Sequence, residues 1–206
     1  MKFMLHLEKI VFIAATIFVI FFVNCGGGDL SSSSNTTGSA DLAGVRMESA
    51  ESINFPQPHL EECFRIEAIV DTPVVIGQDN IHGLRRLIPV VSGIVTGKLK
   101  GIVLPGGVDS QVVRPDGFTE LSARYGIKLD DGTSVFIENN GIRRVDPKYA
   151  AEVAAGNIVD PKHVYFATVP KFEVYDESLR WLEQSIFICY ATRLPDKVLL
   201  RFYQLH

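Results

Sequence analysis

The chain has 206 residues, with 20 Lys and Arg against 24 Asp and Glu and a formal net charge of −4. An acidic balance with no basic block lacks the electrostatic footprint of a nucleic-acid binder. The length beyond the N-terminal segments is enough for one well-buried core and short of two ordinary domains.

Residues 1–24 read as an export signal. Lys2 and Lys9 give a weakly basic start, and the apolar run Ile10–Val23 follows. A membrane-spanning helix needs about 20 apolar residues, whereas a secretory h-region needs about 7–15. The run fits the second length. Phe22-Val23-Asn24-Cys25 resembles a relaxed lipobox, with Phe22 in place of the usual Leu and Asn24 in place of a small residue. Cleavage there leaves Cys25 as an acylated N-terminus. A plain signal peptide and an uncleaved anchor helix are the alternatives. The flexible stretch directly after Cys25 favours the lipoprotein, which predicts attachment to a membrane of the cell envelope through lipid.

Residues 25–54 form the expected tether. Gly26-Gly27-Gly28 and the Ser, Asn and Thr run from Ser31 to Ser39 have little apolar surface to offset an ordering entropy of roughly 1–2 kcal/mol per residue. Two or more acyl chains anchor stably where one is marginal, so the domain of residues 55–206 would stand off the membrane.

That domain is patterned as strands. Phe64, Ile66, Ala68 and Val70 share one face. Leu87–Thr96 and Leu99–Leu104 are β-rich and punctuated by Gly93, Gly97 and Gly101, which mark bends or close approaches. Pro105-Gly106-Gly107 is a turn, Asp109–Arg114 a short strand, and Pro115-Asp116-Gly117 another turn. Thr119–Leu129 and Thr133–Asn139 make a hairpin across Asp130-Asp131-Gly132. Its first strand puts Thr119, Leu121, Ala123, Tyr125, Ile127 and Leu129 on one side. Asp146 as cap and Pro147 at the first position start a short helix that Gly156 ends. A second helical turn is predicted over Ser178–Glu183. Strands resume at His163–Val169, Phe172–Tyr175, Ser185–Thr192 and Val198–Leu205. Around nine strands with one or two short helices predict an all-β domain, a single closed antiparallel β-barrel, with a two-sheet sandwich as the rival.

The order of motifs from Leu60 onward resembles an uncharacterised bacterial family, the domain of unknown function numbered 3237 (UPF0311). The resemblance is carried by Arg86-Leu87-Ile88-Pro89-Val90 leading to Gly93, and by Gly97 through Leu104-Pro105-Gly106-Gly107. It continues through Asp109-Ser110-Gln111, Ala123-Arg124-Tyr125, Asp131-Gly132 and Asn139 with Gly141 and Arg143. A last block spans Tyr165-Phe166, Thr168, Pro170, Phe172-Glu173 and Trp181-Leu182. Ser110 stands where the family pattern has Trp. The resemblance implies a compact β-barrel with a central pocket and no settled activity.

Asp109 and Gln111 lie two apart on a strand and project to one face. They either furnish a small-molecule pocket or stabilise the turn after Gly107, and the family triplet favours the pocket. Tyr125 falls on the apolar stripe, where its hydroxyl needs a partner. Asn139 ends the stripe of Val135 and Ile137, as a pocket group or as a cap for a turn at Asn140-Gly141. Arg143 can meet a ligand carboxylate or Asp109; Arg124 falls on the polar face. Glu173, if buried, is an acid–base candidate beside Asp109. Neither Cys63 and Cys189 nor His59, His82, His163 and His206 show metal-ligand spacing, and no cofactor motif occurs.

Two classes of function remain. One is a lipid-anchored barrel that binds a small, partly apolar molecule through Asp109, Gln111, Tyr125, Asn139 and Arg143. The other is an isomerase or lyase that moves a proton through Asp109 or Glu173.

Overall fold

The alternating segments form ten antiparallel strands, in a computed structural model that describes residues 54–155 and 157–206. They are β1 (Leu60–Val70), β2 (Val74–Asp79), β3 (Gly83–Gly97), β4 (Gly101–Val103), β5 (Gly107–Val113) and β6 (Phe118–Leu129). After these come β7 (Ser134–Val145), β8 (Val164–Val174), β9 (Phe187–Arg193) and β10 (Lys197–Leu205). Neighbours run β1-β10-β9-β8-β7-β6-β4-β3, and pairing of β1 with β3 closes the ring. Strands β4 and β5 both bridge β3 and β6, while β1 and β2 both lie along the other side of β3. Ten strands therefore make eight staves, a closed barrel rather than a sandwich. At this size a barrel interior can be filled by side chains or can hold one small ligand.

Both situations occur in this lumen. One end is packed. Phe64 stacks on Phe202 with ring centroids 4.4 Å apart, Phe172 meets Phe187 edge-on, and Trp181 tilts against Phe187. Offset and edge-on aromatic pairs of this kind add to the stabilisation from area burial alone. A 3-10 helix, Glu177–Leu182, plugs this end with buried Leu179 and Leu182, and the Asp176 carboxylate caps it by accepting from Ser178 N. Gly93 lets β3 pass close over β1, since a Cβ there would lie 2.3 Å from the Glu67 carbonyl oxygen.

The other end opens beside the excursion from Asp146 to His163. Pro147–Tyr149 is a 3-10 turn capped by Asp146, and α1 covers Ala150–Ala154. Asp146 N donates to His163 O at 2.9 Å, and the Tyr149 and His163 rings stack 4.2 Å apart, which staples the base of the excursion.

Several elements depart from the sequence reading. Strand β2 was not expected: Val74, Val75 and Ile76 are all exposed, so they show no alternation. Strand β3 begins at Gly83 instead of Leu87. Strand β7 runs on to Val145, so Asn140-Gly141 is strand and Asn139 caps no turn. Strand β8 passes through Pro170 unbroken: Pro170 has Asn139 of β7 opposite it, while β9 reaches only Ala167 and Thr168. A proline is tolerated where a strand lacks one neighbour. Cys63 and Cys189 are both free and buried. The signal, the tether up to Ile53, Cys25 and Gly156 lie outside the described residues.

Candidate ligand-binding cavity

Strand alternation decides which side chains reach the lumen. From the closed end to the mouth, β6 sends in Leu129, Ile127, Tyr125, Ala123, Leu121 and Thr119, and β7 sends in Val135, Ile137, Asn139 and Arg143. Tyr125 belongs to the packed core and also lines the cavity, so it sits where the filled half ends. Beyond it lies a cavity of about 1550 Å³. Ordinary ligand pockets run to about 300–1,000 Å³, so there is room for a multi-ring or long-chain molecule. Its apolar wall includes Leu84, Ile88, Leu121, Phe166, Val198 and Leu200.

A polar network crosses one wall. Gln111 is only 4% exposed, and its Oε1 accepts from Arg86 Nε at 3.0 Å and Nη2 at 2.8 Å. Its Nε2 donates to Asp109 Oδ2 at 2.6 Å. Burial raises the Asp109 carboxyl above the ordinary carboxylate range, opposed by that hydrogen bond and by the Arg143 and Arg86 charges. Desolvation disfavours the charged form. It also pulls the Arg143 guanidinium down to about 10, with repulsion from Arg86 and Arg193 acting in the same sense. Arg143 is therefore still a cation at neutral pH.

Around this network, on β5 and on the strands β6, β7 and β8 that follow it round the barrel, lie groups that are not satisfied. Tyr125 Oη, Asn139 Oδ1, Thr168 Oγ1, Arg143 Nε and the second Asp109 oxygen, Oδ1, are buried with no hydrogen-bond partner among the described residues. Asn139 and Thr168 are 2% and 4% exposed. Burial pushes the Tyr125 hydroxyl well above its usual pKa, and the neighbouring Asn139 offsets only part of this. Cys189, beside Thr168 and Asn139, is pushed up to about 12 for the same reason. All five orphaned atoms belong to residues that line the one cavity.

Asp109, Gln111, Tyr125, Asn139 and Arg143, all expected from the sequence, are thus brought together. Glu173 is not. It lies on the outer face of β8, exposed, accepting from the Tyr175 hydroxyl, because strand periodicity turns inward only Phe172 and Val174 beside it. Arg124 is likewise outside, paired with Glu138 at 3.2 Å. The sequence reading missed Arg86, Arg193 and Thr168. A signal existed: Arg86 continues the inward positions of Ile88 and Val90, as Arg193 continues those of Cys189 and Ala191.

Comparison with known proteins gives consistent matches. A family model described as a protein of unknown function, DUF3237, matches residues 58–205. A UPF0311 protein of Clostridium acetobutylicum is 53% identical over 153 residues, which is 74% of this chain and 97% of the relative. The crystal structure of a protein with unknown function from Clostridium acetobutylicum ATCC 824 superposes with a TM-score of 0.70 at 52% identity. That match covers 74% of this chain and all of the other. A β-barrel-like protein from Acinetobacter baumannii AYE is 31% identical with a TM-score of 0.65, over 74% of this chain and 99% of that one.

Proposed function

The chain belongs to the DUF3237 family, and from that premise we propose that its barrel is a binding module for a small, partly apolar organic molecule. The observation that carries this reading is the set of buried, unpartnered polar atoms on Tyr125, Asn139, Thr168 and Asp109 around one apolar-walled cavity. A buried polar group without a partner costs about 1–3 kcal/mol. A ligand that supplies hydrogen bonds offsets that cost, and few precisely placed polar groups in an apolar wall are what gives a pocket its selectivity. A thermal-shift screen of small aromatic and carboxylate compounds tests it. Hits should stabilise the protein, and Asn139→Ala and Asp109→Asn should reduce the shift. Hits that stabilise both variants as strongly as the parent would place binding elsewhere.

A second reading is acid–base catalysis by Asp109. It is favoured by one fact: the carboxyl has an unpartnered oxygen inside the cavity and a pKa raised by burial, as a proton carrier needs. Glu173 has no part in it. Titration of Asp109 by NMR with a bound screening hit separates the readings, since turnover of the hit should follow the same titration.

We also propose that the barrel works at the cell envelope, anchored through acylated Cys25. The apolar run Ile10–Val23, the lipobox-like Phe22–Cys25 and the Gly and Ser tether support this.

A further inference from the structure

Three guanidiniums, those of Arg86, Arg143 and Arg193, line the cavity, and Asp109 is the carboxylate that shares the interior with them. The remaining charged residues of the wall lie at the mouth, where Asp116 and Lys162 pair with side chains outside the wall and Asp146 caps a backbone amide. Asp116 pairs with Arg114 at 2.6 Å, the Asp146 carboxylate accepts from Lys148 N, and Lys162 pairs with Asp160 at 2.8 Å. Arg144 and His163 complete that rim. Inside the lumen itself, three guanidiniums stand against the one carboxylate of Asp109.

That surplus is not neutralised by the protein. Asp109 forms no ion pair with any of the three arginines among the described residues. Its Oδ2 is taken by Gln111 and its Oδ1 has no partner. Arg86 spends Nε and Nη2 on Gln111. Arg193 makes one weak bond, from Nη2 to Pro195 O at 3.3 Å. Arg143 Nε is buried and unpartnered. Buried charges are ordinarily paired, and the planar guanidinium fork matches an oxyanion in a two-point contact. Beside these heads the wall is apolar, with Leu121, Phe166 and Leu200.

We propose that the bound molecule is an organic acid, its oxyanion seated on Arg143 and Arg193 and its apolar body lying toward Leu121 and Phe166. This rests on the reading of the lumen as a binding site and adds the charge and orientation of the ligand. Tyr125, Asn139 and Thr168, deeper in the lumen, then meet polar groups at the other end of the molecule.

Two fluorescent probes of one shape and different charge test the charge apart from the pocket: anilinonaphthalene sulfonate and uncharged phenylnaphthylamine. Hydrogen bonds to charged groups predict that the sulfonate binds about 10- to 100-fold more tightly. Arg143→Gln should collapse that preference and Arg143→Lys should keep part of it. Arg193→Gln is the second variant if Arg143→Gln does not fold by circular dichroism. Decanoate should displace the sulfonate, and inorganic phosphate at the same concentration should not. Equal affinity of the two probes would overturn the organic-acid proposal and leave the binding reading standing. Displacement by phosphate alone would overturn the organic class. Failure of both probes to bind, with the fold intact, would overturn both.

Discussion

Gln111 Oε1 accepts two N–H groups of Arg86, at 3.0 and 2.8 Å, and so fixes which way its amide faces. With the oxygen committed, the Nε2 hydrogens point at Asp109, 2.6 Å away. Gln111 therefore stands as a neutral relay between an acid and a base that do not touch. Register explains the arrangement: Arg86 is directly opposite Gln111 across β3 and β5, and Asp109 is two residues along the same strand and face. Removing the amide strands both charges.

Gln111→Ala should thus cost about 1–3 kcal/mol for each group left unpaired in a buried site. Chemical denaturation should show a lower midpoint with an unchanged slope, because the surface exposed on unfolding is the same. A midpoint within error of the parent would mean that Arg86 and Asp109 find each other directly.

The pH dependence of Asp109 has a definite sign. Its folded pKa lies above the ordinary 3.8, so the folded state holds the proton more tightly than the unfolded state does. The stability it contributes is fully present below the ordinary carboxylate range and is lost as pH rises through the folded value. Asp109→Asn cannot titrate. The stability of the parent relative to Asp109→Asn should therefore fall as pH rises from about 4 toward the raised folded value. Urea midpoints of both proteins across that window check it, and a parent that gains stability relative to Asp109→Asn as pH rises would contradict the burial argument.

How much was legible follows from what each side chain faces. The inward stripe Thr119–Leu129 was readable because apolar and polar residues alternate there without interruption, and it correctly placed Tyr125. Asp109 and Gln111 were paired by the same periodicity. Arg86 and Arg193 were not, since a charged residue on an inward position looks like the end of a strand unless the cavity is known. Strand β2 had no buried face to betray it. Pro170 reads as a break, and only the missing β9 partner explains why β8 continues. Glu173 was a candidate by residue type alone, and alternation alone would have put it outside beside Phe172.

Gly141 faces β8 where no side chain fits. A Cβ there would lie 2.3 Å from the Ala167 carbonyl oxygen and 2.5 Å from Thr168 Cα, both backbone atoms of the neighbouring strand. Gly141→Ala should destabilise the barrel by about 1–3 kcal/mol, as overpacking does when the neighbour cannot move away. It should also weaken any lumen ligand, because the displaced segment carries Thr168. A melting temperature equal to that of the parent would show that β8 can shift at no cost.

Thiol chemistry tests the packing and the anchor together. The chain has three cysteines. Cys189 is fully buried with its thiol pushed up to about 12, and Cys63 is buried on β1 with a thiol raised by burial. Thiolate is the reactive form, so neither should react with a thiol reagent in the native barrel. Both are free, so both should react on denaturation. Acylation of Cys25 would block its sulfur. Protein extracted from membranes should then titrate as two thiols when denatured and none when native, with a mass above that of the unmodified chain starting at Cys25. Cys25→Ala should keep the two-thiol count, lose the added mass and leave the membrane fraction. A third reactive thiol in the membrane-extracted protein, present in the native state and absent in Cys25→Ala, would rule out the lipid anchor.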